Sequence, residues 1–297
     1  MKTYAYYPGC SVKSTGKQYE QSLIELFKVF DLQLQEIDDW NCCGATMYMS
    51  VDEKMSFALS ARNLAIAEKS GLDIVAPCSA CYLVLLKTMH SIKQYPSIRE
   101  SVDKALTAAG LIYRGTARVR HPLEVLLHDV GFETIQNKVK IPLRSFKIAP
   151  YYGCQIVRPF EEFDHHTYPE TMDHIFDIIG ASVIDYTQKT RCCGGSLTGT
   201  IEEVGLRLNH ILLKEAHEKG ANCIATVCPL CQFNLEAYQR KILKKYNNIP
   251  KMPILYFSQV IGLAMGIDKD ELGMNKSIIY PKQLMESLVV PEMSPSA

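Results

Sequence analysis

The chain has 297 residues, 47% of them apolar and 22% charged, and a formal net charge of zero. That length buries a core as one large domain or as two of ordinary size. The neutral balance supplies no bulk field toward nucleic acid or an anionic membrane, so a nucleic-acid partner is not expected and any anion must be recognised locally.

In chain order, Thr3 to Tyr7 reads as a short buried strand running into a Pro8-Gly9-Cys10 turn. Lys17 to Phe30 carries Tyr19, Leu23, Phe27 and Phe30 on one helical face. Leu32 to Ile37 is a strand, and Trp40 to Gly44 a loop. Asp52 caps a helix that runs to about Ser70 and stops at Gly71. Asp73 to Ala76 is a strand, and Pro77 to Cys81 opens another helix. A helical connector follows, with helices over Ile98–Ala109 and His121–Val130.

The same order then repeats. Phe146 to Tyr152 is a strand, Pro169 to Ile179 a helix and Ser182 to Tyr186 a strand. Arg191 to Gly195 is a loop, Ile201 to Lys219 a helix and Asn222 to Thr226 a strand. Cys228 to Cys231 opens a further helix, with Pro229 where its missing N–H costs nothing. Pro253 to Met265 reads as strand and helix, and the tail from Pro281 as loosely ordered or partner-bound. The start, MKTYAYYPGC, lacks a signal peptide's apolar core, and no run of about 18 apolar residues predicts a membrane span. The expected location is cytoplasmic.

Ten of the eleven cysteines fall into two matching sets. One is Cys10, Cys42, Cys43, Cys78 and Cys81. The other is Cys154, Cys192, Cys193, Cys228 and Cys231. From the paired cysteines onward the copies align at an offset of 150 residues. Cys223 has no counterpart and is expected to be a buried core thiol. In a reducing compartment such spacing means metal or redox chemistry, not disulfide staples.

Each set lies at strand ends and helix starts, where open α/β sheets form their ligand sites and helix N-termini favour thiolates. Glycines beside the cysteines (Gly9, Gly44, Gly153, Gly194 and Gly195) let backbone pass close to a bulky group. Structural zinc takes four ligands, whereas each set offers five. Adjacent cysteines in extended backbone point to opposite faces and reach two metals more readily than one. An iron–sulfur cluster per set therefore fits better than a mononuclear ion. A zinc-bound scaffold without redox chemistry is the competing reading.

These residues resemble the cysteine-rich, or CCG, domain family, whose mark is a Cys, a Cys-Cys-Gly and a Cys-x-x-Cys. Here these are Cys10, Cys42-Cys43-Gly44 and Cys78/Cys81, then Cys154, Cys192-Cys193-Gly194 and Cys228/Cys231. Two such domains over about residues 3–240 resemble the B-subunit family of the heterodisulfide reductases of methanogenic archaea. The resemblance implies an α/β fold of two pseudo-symmetric Rossmann-like domains, residues 1–145 with the connector and 146–297 with the tail. It implies two noncubane 4Fe-4S clusters at their interface, held by the ten cysteines.

It further implies reductive cleavage of the coenzyme M–coenzyme B disulfide. The implied partners are the reductase's A chain (flavin and iron–sulfur) and its ferredoxin-like C chain, fed by a hydrogenase or formate dehydrogenase. The same family includes iron–sulfur electron-transfer subunits of quinone-linked succinate, glycolate or lactate oxidoreductases, which is the alternative.

Both halves of that substrate are anionic, so cations are needed at the site. Lys13, Lys17, Arg158, Lys189 and Arg191 are the candidates, with His165 and His166 as proton donors. Arg62 and Arg207, on long helices, are expected in ion pairs.

Overall fold

The computed structural model describes residues 1–45, 47–247 and 249–288. Strands β1 (Lys2–Tyr6), β2 (Leu32–Glu36), β3 (Ile74–Val75) and β4 (Val119–Arg120) form one parallel sheet in the order β2-β1-β3-β4. Strands β5 (Lys147–Tyr151), β6 (Ser182–Val183), β7 (Cys223–Thr226) and β8 (Ile254–Tyr256) form a second in the order β6-β5-β7-β8. The two sheets are the same doubly wound motif, and the expected α/β class with two cysteine-rich repeats holds.

Between β1 and β2 lie α1 (Gly9–Lys13) and α2 (Lys17–Val29), and then α3 (Met47–Val51) and α4 (Glu53–Glu68) lead to β3. α5 (Ser79–Gln94) and α6 (Pro96–Ala108) follow, then α7 (Pro122–Val125), a π-helical turn over Leu126–Val130 and α8 (Phe132–Asn137). The second half carries α9 (Thr171–Ile178), α10 (Glu202–Glu218), α11 (Pro229–Ala237), α12 (Gln239–Tyr246), α13 (Phe257–Ala264) and α14 (Lys282–Glu286). Asp52 caps α4 as its position implies, its side chain accepting from the Met55 amide at 3.0 Å.

Several expectations are corrected. The Pro8-Gly9-Cys10 turn winds into α1, so Cys10 sits in a helical first turn. The expected strand Ser182–Tyr186 is only two residues long, because β6 pairs with β5 solely at Ser182 and Val183. Strand β4 and α8 have no counterpart among the expected elements. The expected loose tail begins with α14, and residues 289–297 lie outside the described residues.

One apolar core runs through both halves. It joins Tyr4, Leu23, Phe57 and Leu85 to Tyr152, Phe176, Val260 and Leu263. Alternation along β5 and into the residue after it sends Ile148 and Tyr152 to this shared core, and Ala149 and Tyr151 to a smaller cluster with Tyr186, Leu212 and Leu235. α2 packs directly against α13, so the halves are joined by core and not by a linker.

Candidate metal centre

In each sheet the chain reverses its winding direction between the first and third strands, the place where a crevice opens beyond the strands' carboxyl ends. Cys10 and Cys78 follow β1 and β3, and Cys154 and Cys228 follow β5 and β7. The paired cysteines sit on the loops after β2 and β6. Cys78 and Cys228 are the N-caps of α5 and α11, which places Cys81 and Cys231 in the first turns.

Two glycines are required by this approach. Gly9 has φ +71°, and a Cβ there would lie 2.9 Å from the Cys81 sulfur. Gly153 has φ +72°, and its Cβ would lie 3.3 Å from the Cys231 sulfur.

All eleven cysteines are free thiols. Cys43 and Cys81 lie 3.3 Å apart, and Cys193 and Cys231 3.6 Å apart. Each site has a buried inner rim (Cys43, Cys78 and Cys81; Cys193 and Cys228) and an exposed outer rim (Cys10 and Cys42; Cys192). The Cys78 and Cys228 thiols interact directly, so the inner rims of the two sites meet in the seam between the halves.

Within each set one or two thiols are pulled toward the thiolate form while their thiol partners are pushed away from it. The Cys42 and Cys81 thiols hold Cys43 down to about 4. The Cys154 thiol, the Gly194 amide and the Arg158 charge hold Cys192 down to about 6. The Cys231 and Cys78 thiols, with the Cys231 and Ser79 amides, hold Cys228 well below the usual thiol range.

The donor set fits a polynuclear group better than a single ion. Four sulfurs around one zinc at about 2.3 Å stand about 3.8 Å from one another. Among the described residues, the one group of three or more candidate ligand atoms within 4.8 Å of one another is Glu161, His165 and His166, which contains no thiol. No three thiol sulfurs come that close together among the described residues. Cys223 stands apart, fully buried on β7, and burial alone pushes its thiol up.

Tyrosines pin the Cys-Cys loops. Tyr7 donates to the Asn41 carbonyl at 2.7 Å, and Tyr151 to the Arg191 carbonyl at 2.6 Å. Both phenols are pushed up by burial and by the neighbouring cysteines. Sequence reasoning missed them, although each sits in the same Tyr-x-Gly-Cys unit. It also missed His121, fully buried in the seam. His121 Nδ1 accepts from the Leu123 amide at 3.1 Å. The ring proton is therefore on Nε2, which lies 3.2 Å from the Pro77 carbonyl and 3.3 Å from that of Val227. Those two residues immediately precede Cys78 and Cys228.

The candidate cations divide. Lys189 is buried, pairs with Asp173 at 2.6 Å and donates to the Pro169 carbonyl. Its own carbonyl accepts from the Tyr152 and Gly153 amides, so it braces the second site from within instead of standing at a pocket mouth. Lys13 is held by Glu20 and Glu36, each at 2.7 Å. Arg158 donates to the Thr190 carbonyl and acts on Cys192. Lys17 and Arg191 are exposed and make no ion pair among the described residues.

His165 Nδ1 accepts from the Thr167 and Tyr168 amides, and His166 pairs with Glu161. Arg62 pairs with Asp39 at 2.5 Å as expected. Arg207 is exposed and, against expectation, makes no ion pair among the described residues.

The family model of the cysteine-rich (CCG) domain matches twice, over residues 4–86 and 148–236. The chain is 32% identical over 285 residues to the 8-methylmenaquinol:fumarate reductase membrane anchor subunit of Wolinella succinogenes, covering 95% of this chain and 99% of that one. It is 30% identical over 285 residues to the B chain of the Ferredoxin/F(420)H(2)-dependent CoB–CoM heterodisulfide reductase of Methanosarcina acetivorans, covering 94% of each. A hypothetical protein from Helicobacter pylori shares the fold with a TM-score of 0.76 at 18% identity, over 93% of this chain and 51% of that one. Among the described residues no helix is long and apolar enough to cross a membrane. The cysteine-rich domains indicate iron–sulfur clusters, and the heterodisulfide reductase relatives a multi-subunit oxidoreductase.

Proposed function

Because this chain belongs to the cysteine-rich CCG domain family, we propose that it is the disulfide-reducing subunit of a heterodisulfide reductase, with the coenzyme M–coenzyme B disulfide as substrate. The observation that carries this reading is the meeting of Cys78 and Cys228. Splitting one S–S bond takes two electrons and leaves two sulfurs to stabilise. Two sites that share an inner rim deliver one electron to each end of the same bond.

Residues 1–145 and 146–297 are taken as the two domains. Cys10, Cys42, Cys43, Cys78 and Cys81 hold one noncubane 4Fe-4S cluster, and Cys154, Cys192, Cys193, Cys228 and Cys231 the other. When bound, such clusters supply one-electron transfer and iron that accepts thiolate sulfur. The chain's own residues do the rest. Cys43, Cys192 and Cys228 are held toward the thiolate form by neighbouring thiols and by backbone amides. The buried inner rim excludes water from the seam, and the exposed outer rim at Cys10, Cys42 and Cys192 admits the substrate.

Arg158, Arg191 and Lys17 face its anionic groups, since Lys13 and Lys189 are already paired. With Nδ1 of His165 accepting from two amides, its Nε2–H can only hydrogen-bond a departing thiolate, and His166, whose Nδ1 pairs with Glu161, is the ring placed to release a proton. Electrons arrive from a ferredoxin-like C chain and a flavin-bearing A chain of the same complex, in turn supplied by a hydrogenase or formate dehydrogenase.

The relative at 32% identity favours a second reading, an electron-transfer subunit of a quinone-linked reductase. Anaerobic protein with reduced viologen separates the two. Release of two thiols per disulfide is the expected result. Quinone turnover with no thiol released replaces this proposal with the second reading.

A further inference from the structure

The two halves repeat each other, but their closing Cys-x-x-Cys turns do not meet solvent alike. At the 150-residue offset Ala80 answers to Leu230 and Cys81 to Cys231. Ala80 is 1% exposed, and Cys78 and Cys81 on either side of it are buried. Leu230 is 36% exposed, and Cys231 is partly open. The second site therefore reaches the surface on α11 as well as at its outer rim, and it does so between two of its own cysteines. Val51 and Met55 are exposed in the first half too, yet none of its Cys-x-x-Cys turn is.

Leu230 is one member of an apolar patch. Phe233 follows it one turn along α11, and Ile201 at the N-cap of α10 and Val204 in its first turn are also exposed. The three helices α10, α11 and α12 pack against one another beneath them. Phe233 meets Tyr238 edge-on, ring centroids 6.4 Å apart. Lys241 lies over the Tyr238 ring and pairs with Glu202, and Lys245 pairs with Glu203 at 3.0 Å. These contacts pin α12 beside the start of α10 and fix the shape of the face.

The charges on this face select its occupant. Glu202, Glu203 and Glu218 are each paired with a lysine. Arg207, Arg240 and Lys244 are exposed and make no ion pair among the described residues. An apolar centre thus carries a rim whose unpaired charges are all positive, on a chain whose net charge is zero. A second copy docked about a two-fold axis would set those cations against one another. An acidic partner is drawn to them instead, and such steering speeds encounter more than it tightens binding. Small, transient contacts of this kind are typical of electron-transfer pairs.

From these observations we infer that the face around Leu230 and Phe233 is the docking surface for an acidic iron–sulfur electron donor, and that the second cysteine set is the one that receives its electrons. The inference rests on the reading that both sets hold clusters and that a separate chain feeds them. Each encounter passes one electron: the donor's centre is oxidised by one and this chain reduced by one. Two encounters supply the pair that one S–S bond consumes. The outer rim at Cys192 stays open to the disulfide while the donor sits on α11.

The test uses the anaerobic holoprotein with a reduced, acidic 4Fe-4S ferredoxin as the probe donor. Electron transfer is followed by stopped-flow absorbance, and iron is determined on every sample. In wild type the second-order rate should fall steeply with added salt. Arg240→Glu combined with Lys244→Glu should lower that rate by about tenfold or more at low salt. Phe233→Ser should lower it while its salt dependence stays. Lys54→Glu combined with Lys93→Glu makes the same charge change on exposed lysines of the first half and should leave the rate near that of wild type. Reduction by dithionite, which needs no docking, should be alike in all of them.

Equal rates in the two charge-reversed proteins overturn the inference, as does a wild-type rate that salt leaves unchanged. A dimer in solution that Phe233→Ser dissociates gives the face to a second copy, and sedimentation with phosphatidylglycerol vesicles that Phe233→Ser abolishes gives it to a membrane. Either result overturns the inference as well. In each of these cases dithionite still reduces the protein and the two-cluster reading stands. Protein without iron that dithionite can reduce overturns that reading and this inference with it.

Discussion

Tyr19 of α2 and Tyr256 at the end of β8 stack face to face across the seam, ring centroids 4.2 Å apart and planes 4° from parallel. Tyr19 also donates to the Val227 carbonyl at 3.0 Å, the residue before Cys228. One aromatic pair thus joins the halves and steadies the strand end from which a cysteine projects. Removing a fully buried ring of this size costs about 3–5 kcal/mol, whereas losing one hydrogen bond costs about 1 kcal/mol. Tyr19→Ala should therefore lower unfolding stability by the larger amount and Tyr19→Phe by the smaller. Anaerobic denaturant titration checks it; equal losses would mean that the phenol, not the ring, joins the halves.

A second expectation concerns Gly9. Alanine there meets the Cys81 sulfur at 2.9 Å, in a backbone conformation that costs a side chain about 1–2 kcal/mol. Gly153→Ala meets Cys231 at 3.3 Å, a contact that a small shift relieves. Gly9→Ala should lose about half of the iron, and Gly153→Ala markedly less. Iron analysis of both purified variants decides, and full loading of Gly9→Ala would show that the first site has more room than its geometry allows.

Cys193 and Cys223 make the next comparison. Both are buried on the second half, yet Cys193 lies 3.6 Å from Cys231 while Cys223 faces only core. Cys193→Ser should remove about half of the iron and abolish disulfide turnover, since one electron then has no route to its end of the bond. Cys223→Ser should leave iron unchanged. Full turnover by the first variant would break the two-site mechanism.

The contrast among these residues marks how far the sequence could be read. Two sets of five cysteines declare themselves by spacing, because ligand geometry fixes where thiols sit relative to strand ends. Strand-to-helix order is legible for the same reason that glycines and caps are: it is set by neighbours in the chain. The seam is not. Cys78 meets Cys228, and His121 joins Pro77 to Val227, only once α2 has packed on α13. Lys189 and Arg191 look alike as basic residues before a cysteine pair. Only the fold turns one onto Asp173 and the other to solvent.

His121 gives the pH expectation. It is fully buried, and desolvation outweighs its two carbonyl partners and holds its pKa down to about 4, against about 6.5 in an unfolded chain. Between those values the unfolded state binds the extra proton, so stability falls as pH drops from 6.5 toward 4. The loss amounts to about 3 kcal/mol once pH is below the folded value. His121→Gln retains an amide donor for the carbonyls but cannot titrate, so its stability should be flatter across that window. Parallel denaturation curves at pH 7 and pH 5 test this; identical slopes for the two proteins would mean that another group controls acid stability.

Lys189 and Arg191 separate bracing from recognition. Lys189→Met leaves Asp173 without its counter-ion beside the Tyr152 phenol, which donates to the same carboxylate at 2.7 Å. Breaking a buried pair by removing one partner costs about 3–5 kcal/mol. The loss should show as lower stability and a second site that loads poorly, with no selective change in substrate affinity. Arg191→Gln touches no ion pair among the described residues, so stability and iron should hold. If Arg191 meets an anionic group of the disulfide, KM should rise about tenfold while kcat changes little, the signature of lost uniform binding. A KM unchanged in Arg191→Gln would remove it from the substrate's path and leave Arg158 as the cation of that rim.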